Sequence, residues 1–174
     1  MKYYTSRGLS KSLKVNLAKW KRWSREFLPP DPLGGRQSGY ARQFSQEEAF
    51  AVYLGGFAVS RLHLAIRDAG QLINDLRSWI REKNSASCTA NAGEQDQEHV
   101  VIFYHHNDEG GLTSILRCMI SLRKFDRDGK TICEERFTDE MLRGGDRVHP
   151  SRPTAMKQLY LTRLYEKFLR DLAS

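Results

Sequence analysis

Several clusters in the sequence have the residue types that catalysis or metal binding needs. His105-His106-Asn107-Asp108-Glu109 gathers metal-ligand types. Neighbours on an extended strand point to opposite faces, so the two imidazoles do not converge, and the segment reads as a polar turn. Asp126-Arg127-Asp128-Gly129 starts like a calcium loop, but its glycine comes fourth where that loop needs it sixth, so it reads as a hairpin turn. Cys118 and Cys133 fall on neighbouring predicted strands and read as buried small hydrophobes; with Cys88 they are too scattered for a disulfide framework or a metal site. Gly34-Gly35 and Gly110-Gly111 lack the Lys-Ser/Thr ending of a phosphate loop. No spacing brings Ser, His and Asp or Cys and His together, and no carboxylate pair has an apolar setting. The reading is therefore a non-enzyme with no cofactor and no metal. His99, His105 and His106 are the only residues on which an enzyme in the second half would rest.

The stronger chemistry is cationic. Asn16, Lys19 and Arg22 recur at a spacing of three, which places them together on a helix. Asn recognises adenine and Arg recognises guanine through paired hydrogen bonds in a major groove. Lys14, Lys21, Arg25, Arg36 and Arg42 have the charge to hold phosphates, with Tyr40 either packing or donating its hydroxyl to the backbone. Residues 1–44 contain 10 Lys and Arg against 2 Asp and Glu, and residues 81–174 contain 15 of each, so the +7 net charge arises entirely near the start. A basic segment beside a neutral remainder implies a polyanion-binding module joined to a second module.

The elements that must carry these residues are set by periodicity and punctuation. Leu13, Leu17, Trp20, Ser24 and Phe27 predict a helix over 12–28, stopped by Pro29-Pro30-Asp31-Pro32; Trp20 and Trp23 read as core. Residues 33–44 suit a short basic hairpin anchored by Tyr40 and Phe44. Ser45-Gln46-Glu47-Glu48 predicts a capping box and a helix ending near Gly55-Gly56. Leu62, Ile66, Ala69, Ile73, Leu76 and Ile80 predict a helix over 59–82 with a heptad seam, packed on its own domain or on a second copy. Residues 83–98 read as a polar linker. Strands are predicted at 99–104, 113–125 and 130–137, a loop from Gly144 to Pro153, and a helix over 154–172 whose stripe includes Leu161, Leu164, Phe168 and Leu172.

Together the first 82 residues resemble the winged helix-turn-helix of the MerR family of transcriptional regulators. Val15-Asn16 with Lys19-Trp20-Lys21-Arg22-Trp23 is similar to that family's recognition helix, Phe27-Leu28-Pro29-Pro30 to its Leu-Leu-x-Pro ending, Arg36 with Gly39-Tyr40-Ala41-Arg42-Gln43-Phe44-Ser45 to its wing, and Leu64-Ala65-Ile66 to its later Leu-x-x-Ile segment. Ala41 makes the wing one residue longer than the family pattern. The long dimerising helix and metal-binding cysteines of many members have no counterpart in residues 83–174.

The expected fold is α+β: a mainly α winged helix-turn-helix over 1–82, a linker over 83–98, and a small antiparallel sheet with a C-terminal covering helix over 99–174. The resemblance implies a DNA-binding transcriptional regulator, working as a homodimer on double-stranded DNA, with the helix over 12–28 in the major groove and the wing over 33–44 on the backbone. The second domain would take an effector, a protein partner or the dimer contact. Two alternatives stay open: an interaction adaptor whose winged helix does not read DNA, and an excisionase-like architectural factor of a mobile element. No stretch approaches the roughly 18 apolar residues of a membrane span, the N-terminus has no signal-peptide core, and the few cysteines fit a reducing, cytoplasmic setting.

Overall fold

The computed structural model describes residues 2–31, 41–85, 95–105, 112–125, 128–129, 131–143 and 153–174. The chain divides into two units, Met1–Ser87 with Tyr165–Ser174, and Cys88–Leu164. The expected boundary at 82 moves by a few residues, and the last ten residues join the first unit. The fold is α+β, with helices in the N-terminal part and an antiparallel sheet plus a helix after it.

In the first unit, the hydroxyl of Thr5 accepts a hydrogen bond from the Gly8 N–H and opens α1 (Ser6–Ser12). The chain turns at Lys14, whose φ of 52° lies in the left-handed region. Asn16 then caps α2 (Leu17–Phe27), its Oδ1 accepting from the N–H groups of Ala18 and Lys19. The helix predicted over 12–28 is therefore shorter at its start, and a separate helix precedes it. The apolar spacing misled because Leu13, in the turn, is buried along with the α2 face of Trp20, Ser24 and Phe27. At the other end, Leu28 is extended, as the residue before a proline tends to be.

Strand β1 (Tyr4–Thr5) pairs antiparallel with β2 (Gln43–Phe44). Ser45 forms the predicted capping box with Glu48 and starts α3 (Gln46–Arg61). This helix passes through Gly55-Gly56, where the sequence predicts its end. Both glycines are packing positions: a β-carbon on Gly55 would lie 2.5 Å from the Phe27 ring, and one on Gly56 would lie 2.2 Å from the Trp23 ring. They let α2 lie directly on α3.

The helix predicted over 59–82 is also divided. Backbone at His63 turns left-handed (φ 54°), and α4 (Ile66–Asp75) and α5 (Arg77–Ser85) come after it, separated at Leu76. Ala69, Ile73, Leu76 and Ile80 of the heptad seam are buried within the chain, so this part of the seam is core, while Leu62 and Ile66 are half-buried. Phe50 and Tyr53 of α3 and Trp79 of α5 form an aromatic cluster with Tyr165 and Phe168. Tyr165 also receives a hydrogen bond from the Gln46 amide.

In the second unit, β3 (Gln95–His105), β4 (Leu112–Phe125), β5 (Thr131–Arg143) and β6 (Ala155–Tyr160) form an antiparallel sheet in the order β5-β4-β3-β6. The expected linker is shortened from both sides, by α5 and by β3. The helix predicted over 154–172 starts later, as α6 (Leu161–Ala173), because its first residues pair with β3 from Ala155↔His105 to Tyr160↔Val100. From Tyr165 on, the helix expected to cover the sheet packs its aromatic side chains among those of α3 and α5. In the β4–β5 ladder Cys118 pairs with Thr138 and Cys133 with Arg123. The two cysteines are thus separated by about 17 Å along the strands, beyond the roughly 7 Å a disulfide can span.

Candidate nucleic-acid interface

Helix α2 is fixed from one side. Trp20 is fully buried and meets Phe44 edge-on, with ring centroids 5.8 Å apart. Trp23 lies half-buried on Gly56, and Phe27 on Gly55. The apolar face of α2 is thereby set against α3 and β2, and its polar face is turned outward.

At about 100° per residue, Lys21, Arg25, Ala18, Arg22, Glu26 and Lys19 succeed one another around that outward arc, and all six are exposed. The arc holds four cations and one carboxylate, with the small Ala18 near its centre. None of Lys14, Lys19, Lys21, Arg22 and Arg25 has an ion-pair or hydrogen-bond partner for its side chain among the described residues. A row of unpaired cations around a small residue suits close approach to a phosphate backbone.

Asn16 stands apart from this arc. Its Oδ1 is engaged as the cap of α2, which leaves only its amide N–H groups for an outside partner. Paired recognition of adenine needs both ends of the amide, so capping and base reading compete at Asn16.

Arg42 is held inside the unit. Its guanidinium donates to the Pro29 carbonyl at 2.9 Å and to Glu48 at 3.1 Å, and it lies over the Phe44 ring. The same Glu48 accepts from the Ser45 N–H. Arg42 thus ties the proline stop after α2 to the start of α3, a positioning task in place of the expected phosphate contact. Arg36 and Tyr40 of the expected wing lie outside the described residues. The β1–β2 pair is the described part that bears on the wing.

The sequence pattern did not point to Arg7, because α1 is poorly marked in it. Arg7 is exposed and lines a groove of about 880 Å³ together with Lys21 and Arg25. The signal was Thr5-Ser6 ahead of Leu9, a cap before an apolar position.

Of the histidines on which an enzyme site would rest, His106 lies outside the described residues. His99 donates its backbone N–H to the Thr162 hydroxyl, and His105 lies at the far end of β3. Among the described residues no group of three His, Cys, Asp or Glu is placed to hold a metal. No described helix is long and apolar enough to cross a membrane. Compared with protein-family models and with curated proteins, the chain matches none.

Proposed function

We propose that this chain is a non-catalytic DNA-binding regulator of transcription, acting in a reducing, cytoplasmic setting, with α2 as the helix that enters the major groove. The observation that carries the reading is the outward arc of α2, with four cations that have no side-chain partner among the described residues around Ala18, on a helix anchored from behind by two tryptophans. The order β1, α1, turn, α2, β2, capped α3, with β2 paired to β1, supports a winged helix-turn-helix of the MerR type. In this reading Arg22 and Lys19 approach base edges, while Lys14, Lys21, Arg25 and Arg7 hold phosphates. Arg42 keeps the base of the wing in place.

The test is fluorescence anisotropy of the full chain on a random duplex across a salt series. The full chain is needed because Tyr165 and Phe168 complete the aromatic cluster of the first unit. Four phosphate contacts, from Arg7, Lys14, Lys21 and Arg25, predict a slope of log K against log salt of about −3.6. Replacing Lys21 and Arg25 together with Ala should reduce the slope by about 2. Binding weaker than millimolar at low salt, or an unchanged slope in that variant, would remove the reading.

A further inference from the structure

An antiparallel sheet usually has one face packed and one face wet, and its strands then alternate apolar with polar. Strand β3 does not alternate. Val100, Val101, Ile102 and Phe103 run without a polar residue, and each is no more than 3% exposed. Val101 and Phe103 share one face of the sheet with Leu116 and Leu159, which are also buried. Val100 and Ile102 lie on the other face, in a small cluster with Ile115, against which Tyr104 and Met119 pack.

Among the described residues, the register places the exposed large apolar side chains of the sheet on this second face. Phe137 is opposite Met119, Met141 opposite Ile115, Tyr160 opposite Val100, and Met156 opposite Tyr104. These four are 51%, 57%, 40% and 55% exposed. They come from both edge strands and frame the buried cluster from two sides. Phe and Met are abundant in interface cores and uncommon as exposed groups on a lone sheet.

We infer that this face of the sheet is the surface through which two copies of the chain associate. Charge favours a second copy. Arg117 on this face is bound through two 2.7 Å hydrogen bonds to Asp139 on the neighbouring strand, and Arg163 pairs with Glu98 while stacking on Tyr160. Arg117 and Asp139, and Arg163 and Glu98, are thus charges already matched within the chain, and residues 81–174 are neutral in sum. It is the part of a +7 chain where two copies can meet without opposing like charges. The choice of a second copy over a foreign partner also rests on the DNA-binding reading, in which two half-sites call for two copies.

The experiment is sedimentation equilibrium of the full chain from about 1 to 100 µM without DNA. The expected result is a dimer. Met141→Glu and Met156→Glu sit on opposite edges of the face and should each weaken it at least about tenfold, because each would bury an unpaired carboxylate in the contact. Thr138→Glu, exposed on the other face of β5, should leave it unchanged. Circular dichroism checks that the variants fold, which their exposed positions favour. A wild-type monomer at 100 µM overturns the inference. So does a dimer insensitive to both methionine substitutions, or equally sensitive to Thr138→Glu. A chain that dimerises as expected but fails the anisotropy test keeps this interface and loses the DNA reading.

Discussion

Gly55→Ala is expected to destabilise the first unit by about 1–2 kcal/mol, although the same change in an open helix stabilises. A β-carbon at this position would lie 2.5 Å from Phe27 Cδ2 and 2.7 Å from Ile73 Cδ1. Carbon atoms in contact sit about 3.5–4.0 Å apart, so α2 and α4 would each have to yield by about 1 Å. Phe27 and Ile73 are 7% and 3% exposed and have no open side to move into. Contacts this short against two buried side chains cost the upper part of the overpacking range, about 2–3 kcal/mol, and alanine returns about 1 kcal/mol through helix propensity. Gly70 in α4 is the internal control. A β-carbon there meets nothing within 4 Å, so Gly70→Ala should stabilise by about 0.5–1 kcal/mol. Gly56→Ala should fall between the two, because the half-buried Trp23 can swing outward. Urea unfolding followed by tryptophan fluorescence measures all three. Trp20, Trp23 and Trp79 all lie in the first unit, so the signal reports that unit alone. The midpoint of Gly55→Ala should drop by about 0.5–1 M. A Gly55→Ala midpoint at or above that of Gly70→Ala would refute the argument that these glycines exist for helix contact.

Two further outcomes rest on the same geometry. Glu48→Ala removes the acceptor for both the Ser45 N–H and Arg42, and should cost about 1–2 kcal/mol in the same urea titration. Arg42→Ala should also destabilise but leave the salt slope of DNA binding unchanged, since its guanidinium is held by Pro29 and Glu48. The hydrogen bonds from Arg117 hold the Asp139 carboxyl below its ordinary value of 3.8. A carboxyl whose pKa is lower folded than unfolded adds stability at neutral pH, and that contribution is lost as the pH falls through the lowered value. With both partners partly exposed, the effect stays below about 1 kcal/mol. An NMR titration of Asp139 checks it, and in Arg117→Ala the midpoint should move back up.

Sequence alone determined the features that are local. Ser45 and Glu48 form their capping box because both partners lie within one turn, and Pro29-Pro30 stops α2 because proline offers no N–H to a helix. The burial of Trp20 and the exposure of Lys19, Lys21, Arg22 and Arg25 follow from a single helical period, and the hairpin of β4 and β5 from apolar runs flanking Asp128-Gly129. Tertiary structure decided what depends on partners far along the chain. Gly55 and Gly56 read as a stop by themselves, and only the rings of Phe27 and Trp23 make them part of a continuous helix. Residues 155–160 carry a helical stripe, yet pairing with β3 draws them into the sheet, because strand hydrogen bonds need a neighbour that no local pattern reveals. Arg42 has the composition of a phosphate ligand, and the carbonyl of Pro29 and the carboxylate of Glu48 give it an internal role instead. The last ten residues belong with the first unit because Tyr165 and Phe168 find Phe50 and Trp79, aromatic groups more than eighty positions away. Hydrophobic attraction has no direction along the chain, so which apolar stripe meets which is settled only when the whole chain has folded.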